Sequence, residues 1–516
     1  MKRTLLTRSA AIALISLCGF AWLSEARAAD IKRGGTITLG RPEEPLTLDP
    51  FIPSDNGSIY AIAQICEPLV SADAAGTGLV PGLAESWTNS PDGLIYTFTL
   101  RDGLQFSDGT PVTSEDVKFS LNKVMDPAAA YGFAFAPVAS VDVTDSKTVK
   151  ITLKQPYTPI LSALSLFSSS VVKKAAYLAG PEAFGSKPIC TGPFMVQSYE
   201  RGSQLVLAPN PHYWAKGEDG KPMPYVDKVV LRYMPDSNSR VLGLQNGDID
   251  AALALPLNQA KAVASMDGAA LEVSPSYRLD YVYLNHTKKP MDDKRIRLAL
   301  NYATNHEALL KAVFFGYGET PNSFMPKVNY WSANVKPIPY DIAKATALVK
   351  EAGYSGAPIQ LMVDTGNAAS RQIATILQAS WKSIGLNVEI VEFDSGTSFG
   401  MTQKGDYQAY VSYITSDIND SDELATLEAD GTGSTKSFFS NYNNPEINKL
   451  LAGARMANDT TKRAALYEKI QEIVYNDGYS VPLNFLPYVN GYRTKVQNWK
   501  NITVGWWWLK SMWIAN

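Results

Sequence analysis

Histidine and cysteine are nearly absent, at three each in 516 residues. His212, His286 and His306 stand far from one another and from any cysteine, which excludes the short ligand spacings of a zinc site. Positive charge is not in excess: 47 Lys and Arg face 50 Asp and Glu. Nothing therefore marks a nucleic-acid or anionic-membrane surface, both of which call for a basic patch. Past Leu23 no further long apolar run occurs, so the chain beyond it is expected to be soluble. Signatures of catalysis are missing too. Gly431 to Lys436 lacks the Gly-Lys-Ser/Thr ending of a phosphate loop. Ser170-Val-Val-Lys173 and Ser54-Asp-Asn56 match two of three serine-enzyme motifs, but in reversed order and without Lys-Thr-Gly. No enzyme activity, cofactor or metal is expected.

What is present begins at the first residue. Lys2, Arg3 and Arg8 precede a nearly all-apolar stretch from Ala10 to Leu23, and Ala26-Arg27-Ala28 offers a small-residue cleavage site. This reads as a secretory signal peptide over residues 1–28 and a periplasmic destination. The apolar stretch is shorter than the ~20 residues a spanning helix needs. Cys18 leaves lipid anchoring as an alternative. An exported chain permits a disulfide between Cys66 and Cys190, and two buried thiols are the equal alternative.

Periodicity predicts an α/β protein. Ile95 to Arg101 alternates as a half-buried strand does, and Val149, Ile151 and Leu153 repeat the pattern. Val226 to Met234 reads as another strand. Further on, Ile296, Ala299, Leu300 and Ala303 fall at helical spacing behind Asp292 or Asp293, and Asp341 caps a helix ending near Gly353. Ile359 to Val363, Ser370 to Ile384 and Val388 to Phe393 then read as strand, helix and strand. A last amphipathic helix presents Leu466, Ile470 and Ile473 on one face. With some 488 residues left after processing, the chain has room for two or three domains.

One ordered set of motifs goes beyond composition: Ala84-Glu-Ser-Trp87, Pro91-Asp-Gly93, Tyr96-Thr-Phe98-Thr-Leu-Arg101, Ser107-Asp-Gly-Thr-Pro111 and Asp116-Val-Lys-Phe-Ser120. Thr191-Gly-Pro-Phe194, Asn210-Pro-His-Tyr-Trp214, Arg297-Leu-Ala-Leu300 and Ala352-Gly-Tyr354 follow in register. Together they resemble the family 5 extracellular solute-binding proteins, which serve dipeptide, oligopeptide, nickel and opine importers. The first stretch is read as scaffold: Asp-Gly turns need the glycine, and Thr113 or Ser114 can cap the helix beginning near Glu115.

The resemblance implies a two-lobed periplasmic-binding-protein (Venus-flytrap) fold with an extra subdomain on the first lobe. The first lobe would comprise 30–62, 190–277 and 478–516, the appended subdomain 63–189, and the second lobe 278–477. It implies capture of a small peptide, peptide-like or opine-like solute between the lobes, and delivery to ABC permease subunits by a monomer. Binding of a metal chelate or saccharide, or a sensor or chaperone role, is the alternative.

In dipeptide-binding relatives an aspartate of the second lobe pairs with the ligand ammonium and an arginine with its carboxylate. Here the first position falls on Ser416, beside Asp417 and after Tyr413, and the second on Asp364, with Asn367 nearby and Arg371 as a substitute cation. The first lobe offers Asn56 and Gly57, and the crossover between lobes offers Tyr277, Arg278 and Tyr281. The Trp506-Trp-Trp508 run is read as packing. The departures at Ser416 and Asp364 make the charge of the ligand the open question.

Overall fold

Alternating side chains build three sheets of four or more strands beside two small two-stranded ones, and the positions of two of the larger sheets create the site. The computed structural model describes residues 31–126, 129–327, 333, 335–365, 367–433 and 436–515. The expected signal peptide, with Cys18, lies outside the described residues. Among those residues no helix is long and apolar enough to cross a membrane.

The smallest of the three larger sheets is antiparallel, with Ala84–Asn89, Ile95–Leu100, Thr148–Leu153 and Val138–Val143 in spatial order. Tyr96, Phe98 and Leu100 point inward and their neighbours stay half-exposed, as strict alternation requires. Thr113 caps the helix Ser114–Val124 in a reciprocal capping box with Asp116. Gly109 has φ +82°, and any Cβ there would press on the His212 ring. The two motif segments thereby lock together.

A seven-stranded sheet has Thr36–Arg41 at its centre, parallel to Lys228–Tyr233 and Ala251–Ala252. Antiparallel strands complete it on both sides, ending with Ala269–Ser274 at one edge and Phe194–Glu200 at the other. Its apolar face shares one continuous core with the four-stranded sheet, from Ile37 and Leu39 to Phe98 and Ile151. Cys66 and Cys190 are joined in a disulfide at this junction, which resolves the alternative of two free thiols.

The five-stranded sheet runs Val388–Phe393, Ile359–Asp364, Ala409–Ile414, Leu279–Leu284 and Val481–Phe485. Ile359–Asp364 is parallel to both neighbours, and the helix Ala368–Ser383 makes the crossover a parallel pair needs. Val481–Phe485 pairs with Leu279–Leu284, so this sheet takes a strand from beyond residue 477. The helix Thr460–Asn476 buries Arg463, Tyr467, Ile470 and Val474, while Leu466 and Ile473 are only partly covered. The buried face is rotated from the apolar one because Arg463 forms two hydrogen bonds to Asp420 and Tyr467 donates to Asp422.

Inside this second lobe Glu428 is fully buried; among the described residues neither carboxylate oxygen makes a well-formed hydrogen bond, though the Tyr281 and Tyr479 hydroxyls lie near enough to favour its charged form. Burial pushes its carboxyl up to about 8. An unfolded glutamate loses its proton near about 4.3. Between these values the folded chain holds a proton the unfolded chain has released, so stability falls as pH rises through the window. In urea titrations at about pH 5 and about pH 8, the wild-type midpoint is expected to drop more than that of Glu428→Gln, the two lying closest at the lower pH. Parallel pH dependence in both proteins would show that Glu428 ionises as freely in the fold as outside it.

Candidate ligand-binding cleft

The chain passes from the seven-stranded to the five-stranded sheet between Ser274 and Leu279, and returns between Phe485 and Tyr488. Ser276 ties the two passages together: its hydroxyl donates to the Leu486 carbonyl at 2.5 Å and accepts from the Arg278 amide at 3.0 Å. Beside this junction lies a cavity of about 430 Å³, within the size range of small-molecule sites. Both sheets contribute to its walls.

On the first side Arg41 is 2 % exposed. Its Nη1 donates to the Gly57 carbonyl at 3.0 Å and its Nη2 to the Asn56 carbonyl at 3.3 Å, with the guanidinium 5.1 Å above the Trp507 ring. Nε has no partner, and burial lowers the pKa of the group. The Tyr60 and Tyr488 hydroxyls meet at 3.4 Å over Gly505, where any Cβ would collide with both. Glycine is required there, and its φ is +97°.

On the second side Arg278 donates from Nε and Nη2 to Asp280 Oδ1, at 3.0 and 2.7 Å, and stacks 4.0 Å from the Tyr413 ring centre. Apolar side chains come from both cores. Leu255 and Val489 come from the core behind the first sheet, and Val313, Phe314 and Ile373 from that of the second. Two cleft residues, Ala254 (φ 49°) and Phe315 (φ 52°), hold the left-handed conformation that non-glycine residues avoid. Ala254 is held there by Asn490, which accepts from its amide, and by Arg240, which donates to its carbonyl.

Of the residues singled out from sequence, the fold brings Asn56, Arg278, Asn367 and Tyr413 to this cavity. Asn367 also caps the helix Ala368–Ser383. Gly57 lies behind the wall, its carbonyl occupied by Arg41. Tyr277 is buried with its hydroxyl on Asn419. Tyr281 points into the core of the second lobe against Tyr283, on the face of its strand opposite to Asp280, as period-two alternation dictates. Asp364 accepts the Tyr410 hydroxyl on both oxygens, and Arg371 forms a surface ion pair with Glu392. Neither reaches the cleft.

Ser416 donates to Glu423, which also accepts the amides of Asp417 and Ile418. Asp417 is buried and accepts the Tyr131 hydroxyl at 2.5 Å, while its Oδ1 has no partner. Burial raises both acids, and the Asp417 charge raises Glu423 further. Sequence reading missed Arg41, Tyr60, Asp280, Phe315, Tyr488 and Trp507. Only the positions of Asp280 and Tyr488 beside the two passages carried a signal, through their nearness to Arg278 and the last strand pair. Trp507 lines the cleft, and Trp506 and Trp508 pack beside Ile502 and Val504. Among the described residues no cluster of three or more His, Cys, Asp or Glu is placed to hold a metal ion.

The chain matches the family model described as "Bacterial extracellular solute-binding proteins, family 5 Middle" over residues 78–436. Among curated proteins it is 30% identical to the "Probable D,D-dipeptide-binding periplasmic protein DdpA" of Escherichia coli (strain K12), covering 94% of both chains. It is 29% identical to the "Glutathione-binding protein GsiB" of the same strain, over 92% of this chain and 91% of that one. Among solved structures, DppA from Helicobacter pylori in complex with the peptide STSA superposes with a TM-score of 0.87 at 28% identity, covering 94% of this chain and 99% of that chain.

The Tyr131–Asp417 bond joins the segment carrying the four-stranded sheet to the second lobe. Removing the hydroxyl leaves a buried carboxylate with neither oxygen bonded through its side chain. Tyr131→Phe is expected to lower unfolding stability by about 1–3 kcal/mol in urea titration at neutral pH. A midpoint unchanged from wild type would mean that water reaches Asp417 freely.

Proposed function

The chain belongs to the bacterial extracellular solute-binding proteins of family 5, and we propose that it captures a small peptide or peptide-like solute and delivers it to the permease of an ABC importer. The observation that carries this reading is the cavity of about 430 Å³ beside the two adjacent passages between the sheets, with two arginines among its lining residues. A site of this size takes a small solute and not a folded partner. Full-length likeness to proteins named for dipeptide and glutathione binding, and to one solved with a tetrapeptide, supports the peptide class.

In this reading Asn56, Arg278, Asn367 and Tyr413 contact the ligand, joined by Arg41, Tyr60 and Trp507. Asp417 sits one layer behind, where its charge is felt by Tyr60 and Tyr488. Residues 63–189 form the appended subdomain. The second lobe runs from 278 to Phe485, and the remainder forms the first lobe. Hinge motion at the paired passages opens and closes the cleft. The protein works as a periplasmic monomer after removal of residues 1–28, and binds its solute without transforming it. Family membership and the signal-peptide pattern support these points.

The test is thermal unfolding of the dialysed protein with L-Ala-L-Ala, D-Ala-D-Ala, glutathione, maltose and nickel–histidine. A ligand that binds only the folded state stabilises it by about 2.7 kcal/mol at a hundred times its dissociation constant. At least one peptide is expected to raise the transition temperature by several degrees. A shift with maltose or the nickel complex alone would reassign the ligand class.

A further inference from the structure

We propose that the appended subdomain is a latch on the closed cleft: it grips the second lobe outside the ligand cavity, so that residues touching no ligand set how long a ligand stays bound. This rests on the solute-binding reading above and adds to it a holding contact that the cavity itself does not supply.

The first observation is a shared core. Among the described residues, the core built by the first lobe and the subdomain takes one buried side chain from the second lobe, Ile418, which is 4 % exposed. Phe133 of the subdomain in turn packs against both that core and a core of the second lobe. The subdomain is fastened to the first lobe by the continuous core and by the Cys66–Cys190 disulfide. Hinge opening of the cleft therefore draws Ile418 out of its socket and exposes apolar surface that closure had buried.

The second is a set of hydrogen bonds between the same bodies. Tyr157, buried on the subdomain side, donates to Asp422 Oδ2 at 3.1 Å. The Thr158 amide donates to the Arg455 carbonyl at 2.8 Å, and its hydroxyl to the Ala457 carbonyl at 3.0 Å. Asn419, next to Ile418, donates to the Thr77 carbonyl of the subdomain and accepts the Tyr277 hydroxyl of the first lobe. None of these residues is among those lining the cavity.

The third is that the second lobe completes its half of the contact from within. Glu423 accepts the Ser416 hydroxyl and the amides of Asp417 and Ile418, and Asp420 is held by Arg463, so the loop carrying Ile418 is shaped by its own lobe. Asp422 is likewise bonded by Arg455 and Tyr467. Losing Tyr157 leaves Asp422 neither unpaired nor misplaced, which suits a contact that breaks and re-forms. A contact made only in the closed state adds to the ligand's own preference for that state, and slows release without changing which ligand is preferred.

The experiment compares wild type with Tyr157→Phe and Ile418→Ala, and with Ile418→Val as the conservative control. Small-angle scattering of the dialysed proteins should give a larger radius of gyration for Tyr157→Phe and Ile418→Ala, at a temperature where circular dichroism finds all of them folded. Stopped-flow release is then measured for L-Ala-L-Ala, D-Ala-D-Ala and glutathione. Each probe that binds wild type is expected to leave Tyr157→Phe and Ile418→Ala about 3- to 10-fold faster, with the order of probe affinities unchanged and Ile418→Val close to wild type. A merely structural role would lower the unfolding temperature and move neither readout. Larger variants in scattering, with no probe binding wild type, would uphold the latch and reject the peptide reading. A bound peptide released at the wild-type rate by both variants would do the reverse. A changed order of affinities overturns the latch, because it puts Tyr157 or Ile418 in the ligand site. Unchanged scattering with no bound probe overturns both readings. If Ile418→Ala does not fold, Tyr157→Phe decides.

Discussion

The hydroxyl of Ser276 holds two backbone passages side by side, and most of what the cleft does depends on that link. On either side of the junction each of the two sheets keeps its own apolar side chains. The same junction delivers Arg278 and Asp280 on one passage and Tyr488 after the other to the wall of the cavity.

Burial then sets the electrostatics. Asp280, Asp417, Glu423 and Glu428 all lie in the second lobe or at its face, and burial is the leading influence on each, pushing each above its ordinary value. They differ in what answers that pressure. Arg278 answers it for Asp280, the Tyr131 hydroxyl for Asp417, and two amides and a serine for Glu423, while among the described residues no hydrogen bond answers it for Glu428. Acids under such pressure favour a cation or donor brought from outside when they face a cavity, and favour protonation when they do not. Glu428 is of the second kind.

Much of the scaffold was legible from residue patterns. Strand alternation at Ile95–Leu100 and Thr148–Leu153, the cap at Asp341, and the strand–helix–strand run from Ile359 to Phe393 are local facts, decided by side chains a few residues apart. The helix Thr460–Asn476 was legible in extent but not in orientation. Its buried face is chosen by Asp420 and Asp422, some 40 residues away, through hydrogen bonds that outweigh a purely apolar stripe. Of the expected cleft residues, Asn56, Arg278, Asn367 and Tyr413 reach the cavity. Tyr281 and Asp364 were placed by motif position, which says nothing about which face of a strand turns outward.

By itself the sequence determined the family, the α/β class and the local elements, because motif order, periodicity and capping are read along the chain. The tertiary structure alone decided which groups share the cleft. Arg41 and Trp507 are separated by most of the chain, and Asp280 differs from Tyr281 only in the face of the strand it takes. Such meetings arise from the packing of two sheets across a junction, and no spacing in the sequence encodes them. The disulfide belongs with them. Cys66 and Cys190 were two thiols that compartment allowed to pair, and the fold brought them together across 124 residues.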